Sequence, residues 1–367
     1  MINATLWKYF SGIYLKNIIS LLFIFLGIVY LFDTVELIRR ASDKEGLALG
    51  LILQMGLLKL PEVGQLIAPF IILFAAMSTF WQLNKRSELV VIRSAGLSVW
   101  QFMAPLLAIA AILGIVQFTL INPISSVLIA KFETLESKHL ENKQSNTINL
   151  LDNGLWLKQD NVSQAGYTVI HATNLNTQQW TIKNVMAITF NEKNQYVERI
   201  DAPQAKLTNG SWIFEDAVTH TPTSETPEVI EEFQLETNLT PTDIEKSFAS
   251  PSTMSFWNLQ DRINKIESTG FDVAQLKVHF HSLLAQPFMF CAMVLLAATV
   301  SLRPPRFRGG LFLLVTGITI GFVVFFLSSF LQALGASHQI PYILAAWAPS
   351  TISLLLGSTV ILSLEDG

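Results

Sequence analysis

Leu311-Phe312-Leu313-Leu314-Val315-Thr316-Gly317-Ile318-Thr319-Ile320-Gly321-Phe322-Val323-Val324-Phe325-Phe326-Leu327 contains no charged residue and lies inside an apolar stretch reaching from 309 to 333. A helix that crosses the hydrocarbon core of a bilayer needs about 20 mainly apolar residues. The stretch therefore predicts a membrane span. Working outward from it, five more stretches meet the same test, at 16–38, 62–83, 98–121, 278–302 and 341–363. They form two sets of three, with a long region of different character between them.

Composition agrees: 51% of the residues are hydrophobic and only 14% charged, against roughly a quarter charged in soluble domains. The charge is also segregated. Residues 125–270 hold 11 Lys/Arg and 19 Asp/Glu, and the remainder hold 13 and 9, so the net −4 combines −8 in the middle with +4 at the flanks. No basic footprint for nucleic acid is present. Lys8 and Lys16 precede the first apolar stretch, but no small-residue cleavage site follows Phe32, so an uncleaved first span is expected. Leu6, Trp7, Phe10, Ile13 and Tyr14 extend that span at helical spacing, as an interfacial helix running into it would. Residues 47–60, closed by Pro61, fit either a surface helix or the outer end of span two.

The middle region changes from helical to alternating periodicity, as in Trp212-Ile213-Phe214-Glu215, with turn residues at Asn153-Gly154, Asn209-Gly210 and Thr221-Pro222. Eight strands are expected, near 148–151, 154–159, 166–172, 180–190, 196–201, 203–208, 211–218 and 229–238, in an antiparallel sandwich or jellyroll. Ser255 to Ser268 predicts an amphipathic helix leading back to span four. The fold class is thus an α-helical polytopic membrane protein with six transmembrane helices and an inserted all-β jellyroll-like domain. The expected boundaries are 1–124, 125–254 and 255–367.

Loop charges orient the chain, because Lys and Arg concentrate on the cytoplasmic side. With the N-terminus inside, the inner segments hold Lys8, Lys85, Arg86, Arg93, Arg303, Arg306 and Arg308, whereas the outer loops hold only Arg39, Arg40 and Lys44. Both termini are then cytoplasmic, and the acidic β domain lies outside.

Motifs of chemistry are missing. No GxxxxGK[ST], HExxH, CxxC or GxSxG occurs. His279 and His281, two apart, point to different faces of a helix and make poor joint metal ligands. Cys291 is the single cysteine and sits in the apolar run Phe288 to Met293, where it reads as a small buried hydrophobe. No catalytic residue, metal site or cofactor is expected.

Two segments stand out. Between spans two and three, residues 84–97 read as a short amphipathic helix stopped by Gly96, with Leu89 and Ile92 on its apolar stripe and Arg86, Glu88 and Arg93 left available. It is either a tight surface turn or a coupling helix that offers Glu88 to a basic groove on a cytoplasmic motor. At the outer end of span one, Asp33, Glu36, Arg39 and Arg40 follow at helical spacing. Glu36 and Arg40 suit a local i,i+4 salt bridge. The adjacent guanidinium groups equally suit an anionic lipid headgroup, because each can donate two bonds to a phosphate.

At these residues the chain resembles the LptF/LptG permeases of the lipopolysaccharide transport system of Gram-negative bacteria. The resemblance is carried by Arg86-Ser87-Glu88-Leu89-Val90-Val91-Ile92-Arg93-Ser94-Ala95-Gly96, nearer the LptG branch, and by Asn153-Gly154-Leu155-Trp156, Asn238-Leu239-Thr240-Pro241 and Gly317-Ile318-Thr319-Ile320-Gly321-Phe322. It covers the whole chain in order. It implies six spans and a periplasmic β-jellyroll in the bacterial inner membrane. The implied partners are an LptF-like permease in a heterodimer, a dimeric LptB-like ATPase, the single-span LptC and a periplasmic LptA-like bridge. Lipopolysaccharide would be drawn from the inner membrane into a cavity between the permeases and passed to the bridge, with ATP hydrolysed on another chain. Arg86, Ser87, Glu88, Leu89 and Arg93 would couple the ATPase to the cavity, and Arg39 and Arg40 would meet lipid phosphates. The jellyroll edge would extend the bridge by strand pairing.

The rival reading is a membrane sensor or scaffold whose outer β domain binds a ligand. A sensor is expected to carry a sizeable inner output domain, and the short inner segments speak against it.

Overall fold

The structure, a computed structural model, describes residues 4–365 apart from 43–47, 141–146, 152–153, 162–165, 177–178, 209, 223–225, 241–250, 269–271 and 303–309. Lys44, Asn153, Asn209, Pro241, Arg303, Arg306 and Arg308 lie outside the described residues. The chain divides into two compact units, one of residues 1–140, 252–257 and 277–367, the other of residues 141–251 and 258–276.

Among the described residues, the first unit holds six helices long and apolar enough to cross a membrane. Helix α1 spans Ala4–Ala41, and α2 spans Leu49–Lys85. The third is built from α4 (Val99–Val116), a π-helical turn (Gln117–Ile121) and α5 (Asn122–His139). The others are α7 (Ala274–Ser301), α8 (Gly310–Ala336) and α9 (Tyr342–Glu365). Short α3 (Glu88–Ser94) joins α2 to α4. The end holding Ala4, Lys85 and Val99 is called here the N-terminal end, and the other the distal end.

These helices outrun the bilayer: the 38 residues of α1 reach about 57 Å at 1.5 Å per residue, nearly twice a hydrocarbon core of about 30 Å. The excess is at both ends. Leu6 to Tyr14 extend the span as expected and belong to α1 itself, with Phe10 and Tyr14 buried. Residues 49–60 are the distal end of α2, which settles that choice. The third span does not stop near 124 but continues to His139, so the expected boundary falls inside a helix.

The main core gathers Phe10, Tyr14 and Ile18 of α1 with Ile71 to Leu83 of α2, Phe102, Met103 and Leu106 of α4, and Phe290 and Met293 of α7. Lipid tails are as apolar as these side chains, so close backbone approach and internal polar pairs must hold the helices together. Gly114 provides such an approach: a Cβ there would lie 2.4 Å from Pro287 Cα. Asn17 donates to Thr79 Oγ1 at 2.9 Å, and Gln82 donates to Asn17 Oδ1 at 3.2 Å. At the distal end a second apolar cluster joins Leu37 and Ala41 of α1, Ile52, Met55 and Leu58 of α2, and Ile129, Phe132 and Leu140. On α8, Phe322, Phe326 and Phe330 stack on an exposed face at successive helical turns.

The π-helical turn has a local use. A wide turn leaves a carbonyl without its i+4 partner, and the indole Nε1 of Trp257 donates to Thr119 O at 3.1 Å. Just beyond it, Asn122 Oδ1 accepts from the Phe256 backbone N–H at 2.8 Å.

The second unit contains an eight-stranded antiparallel sheet in the order β1-β2-β3-β5-β6-β7-β8, with β4 on β5. Its strands are β1 (Thr147–Leu151), β2 (Gly154–Asp160), β3 (Gly166–Ala172), β4 (Asn174–Asn176), β5 (Thr181–Asn191), β6 (Tyr196–Thr208), β7 (Ser211–His220) and β8 (Glu228–Glu236). Alternate residues face one interior, among them Leu157, Ile170, Ile182, Ala187, Ile200, Trp212 and Phe214. The sheet folds over on itself. Gln159 Nε2 of β2 donates to Glu236 O at 3.1 Å, and Thr237 Oγ1 donates to Gln159 Oε1 at 2.7 Å. Since β2 and β8 are not neighbours in the ladder, these bonds join strands from opposite parts of the sheet.

Two details differ from the expected strands. The short β4 was not anticipated, and the strands expected at 196–201 and 203–208 are one, β6. Pro203, which cannot donate to a ladder, lies within this single strand. The structure accommodates it by distorting both neighbours: Asn184 on β5 and Asp216 on β7 take positive φ of 50° and 51°, and the pairings skip Pro203 on both sides. Helix α6 (Phe256–Ser268) is amphipathic as expected, burying Leu259, Ile263 and Ile266.

Candidate functional site

At the N-terminal end, the α2–α4 connection is a preformed element. The backbone turns at Ser87, whose φ is +59°, and leaves the short helix at Gly96, whose φ of +80° favours glycine. Leu89 and Ile92 are buried in the main core, which fixes the helix on the bundle. Glu88 opens α3 with its carboxylate partly exposed, 3.8 Å from Arg86 Nη1. The Tyr9 hydroxyl donates to Glu88 Oε1 at 3.1 Å. Arg93 lies in α3, its side chain outside the described set. Val90 and Val91 are 63% and 65% exposed. The structure thus brings Arg86, Ser87, Glu88 and Leu89 together, and adds Tyr9, which no local pattern could place there. It also displays Val90 and Val91, to which sequence reading gave no role, on the side away from Leu89 and Ile92.

At the distal end, the basic pair is split between two partners. Arg39 makes a bidentate pair with Glu36, Nε to Oε2 at 2.8 Å and Nη2 to Oε1 at 2.6 Å. Arg40 turns to α5, placing Nη1 2.7 Å from Glu136 Oε1. The expected Glu36–Arg40 pair is therefore replaced: both Glu36 oxygens are held by Arg39, one helical turn on. Lys59 of α2 closes on Asp33 at 3.3 Å. A cavity of about 250 Å³ adjoins these groups, lined by Asp33, Glu36, Arg40, Lys59, Glu62 and Glu136 among others.

Deeper in the bundle is a larger cavity of about 550 Å³. Gln65, Gln117, Asn122, His279 and Gln286 make part of its wall, and Phe70, Met289 and Met293 another part. Polar residues within a membrane bundle typically face such interiors. The two histidines do diverge: His279 lines the cavity, while the His281 ring lies 5.3 Å from Tyr342. Cys291 is half-buried, its thiol 3.6 Å from Leu107 O.

With this geometry in place, comparison with known proteins is decisive about kinship. The family described as lipopolysaccharide export system permease LptF/LptG matches residues 8–363, which takes in the sheet and all but the outermost few residues of the first and last long helices. The chain is 25% identical over 306 residues to the lipopolysaccharide export system permease protein LptG of Haemophilus influenzae, covering 82% of each chain. It is 23% identical over 367 residues to the protein of the same description from Escherichia coli K12, covering 95% of each. The chain belongs to the LptF/LptG family of lipopolysaccharide export system permeases.

Proposed function

We propose that this chain is the LptG-type permease half of an ATP-driven exporter that withdraws lipopolysaccharide from the inner membrane and hands it to a periplasmic bridge. In this reading it is non-catalytic. ATP is hydrolysed by a separate LptB-like dimer, the second half of the pore is an LptF-like permease, and an LptC-like chain and an LptA-like bridge continue the route. The N-terminal end of the bundle and α3 face the cytoplasm, and the β domain occupies the periplasm, in keeping with the loop charges. The division of labour follows: residues up to the end of α5 and from α7 onward form the membrane half, and the strands between receive the lipid.

The observation that carries the reading is α3. A seven-residue helix anchored by Leu89 and Ile92, opened by an oriented Glu88 and displaying Val90 and Val91, suits docking into a groove with an apolar floor and a basic rim. Arg86, Ser87, Glu88, Leu89 and Arg93 are proposed as the coupling segment, and Arg39 and Arg40 as contacts to lipid phosphates. A sensor is not favoured, because the family match is to export permeases over nearly the full chain. Purifying the tagged chain from membranes tests the proposal: a second permease and an ATPase should accompany it, and recovering neither overturns it.

A further inference from the structure

At the distal end, Arg40 already has an anion. Its Nη1 lies 2.7 Å from Glu136 Oε1, with side chains 37% and 20% exposed. The adjoining cavity has five carboxylates in its wall, Asp33, Glu36, Glu62, Glu133 and Glu136, against two cations, Arg40 and Lys59. Lys59 is itself paired with Asp33 at 3.3 Å. A carboxylate and a phosphate group offer a guanidinium the same kind of paired oxygen acceptors. Glu136 therefore fills the seat a lipid phosphate needs, and the surrounding acid repels a second anion while that seat is taken.

We propose that Glu136 is an internal competitor for Arg40: its carboxylate holds the guanidinium while no lipid is bound, is exchanged for a lipid phosphate on capture, and displaces that phosphate on release. The inference rests on the reading of Arg40 as a lipid contact. Leu37 and Ala41 of α1 and Ile129 and Phe132 of α5 share one buried apolar cluster, so the exchange is a swing of side chains and the helices stay packed. Once displaced, Glu136 stands free beside the remaining carboxylates of the cavity, and that like-charge repulsion favours its return to Arg40. Glu136 thus acts through Arg40 as a positioning residue, setting how tightly the lipid is held.

The test uses the complete membrane complex with a photo-crosslinker at Val35, an exposed position on α1, and two probes, purified lipopolysaccharide and the same lipid stripped of phosphate. At subsaturating lipid, Glu136→Gln should raise capture about two- to fivefold, the range that loss of a partly exposed ion pair supports. The stripped lipid should show no gain, Glu136→Asp should return capture toward the parent level, and Arg40→Ala combined with Glu136→Gln should lose the gain. If Arg40→Ala lowers capture but Glu136→Gln leaves it unchanged, the lipid meets Arg40 without displacing Glu136 and only this inference fails. A gain that persists in the double variant overturns it likewise, as a structural effect. Unchanged capture by Arg40→Ala removes the lipid-contact reading itself, and the competitor role with it.

Discussion

The Tyr9 hydroxyl donates to Glu88 Oε1 at 3.1 Å, so a residue in the second turn of α1 orients the acid that opens α3. The two roles open to Glu88 separate on this bond. If it only braces the turn, Tyr9→Phe and Glu88→Ala should act alike, each within about 1 kcal/mol on stability. If it meets a partner cation, Glu88→Ala should lower lipid-stimulated ATP hydrolysis at least about tenfold, as truncating half of a hydrogen-bonded charge pair across an interface does, while Tyr9→Phe keeps most of the activity. ATPase assays and co-purification of the two variants decide between them, with the second pattern expected.

Gly114 and Gly27 make opposite predictions from the same substitution. A Cβ at Gly114 collides with the Pro287 backbone, whereas one at Gly27 meets nothing within 4 Å. Gly114→Ala should destabilise by about 1–3 kcal/mol, the cost of overpacking a close contact. Gly27→Ala should be neutral or stabilising by up to about 1 kcal/mol, since alanine is the better helix former. Thermal unfolding in detergent reads both, and equal midpoints for parent and Gly114→Ala would contradict the α4–α7 contact.

The adjacent arginines should also separate by stability. Arg39 and Glu36 are 73% and 50% exposed and lie on one helix, so Arg39→Ala should change stability by no more than about 0.5 kcal/mol. Arg40 bridges α1 to α5 and leaves a more sheltered carboxylate behind, so Arg40→Ala should cost more, up to about 1 kcal/mol. A chemical-denaturant series on the two variants checks the order, which reverses if Arg40 is bound elsewhere.

Gln159 should be the most sensitive polar residue of the sheet. It is 1% exposed and both accepts from Thr237 and donates to Glu236 O. Gln159→Leu takes the acceptor from the buried Thr237 hydroxyl and one donor from Glu236 O, at about 1–3 kcal/mol for the buried hydroxyl. Limited proteolysis of the full chain should then cut the β domain sooner, while Gln204→Leu, at a half-buried position whose bond to Glu215 is exposed, should change the rate much less.

Hydrophobic length located the spans because the bilayer imposes it on each one locally, and alternation located most strands because a sheet with one buried face writes a period of two into each strand. What escaped was whatever depends on residues far apart in the chain. Glu36 and Arg40 have helical spacing, yet Arg40 is taken by Glu136, which no periodicity brings near. The strands expected at 196–201 and 203–208 are one, because the left-handed residues Asn184 and Asp216 on the neighbouring strands, which let β6 run through Pro203, cannot be seen in the sequence. The α3 segment was legible as an amphipathic turn, with Leu89 and Ile92 inward. Its tie to Tyr9 was not, since that hydroxyl belongs to a helix otherwise marked only by apolarity.

In the β domain every ladder joins strands consecutive in the chain, apart from β3 to β5 across the short β4. Low contact order of this kind lets a chain order itself progressively, with little loop closure to wait for. Among the described residues, the ladder is complete at Glu236, and the Gln159 bonds that join its opposite parts reach only to Thr237. The sheet can therefore be finished while α7, α8 and α9 are still to be synthesised. A folded β domain would then already precede the last three long helices along the growing chain.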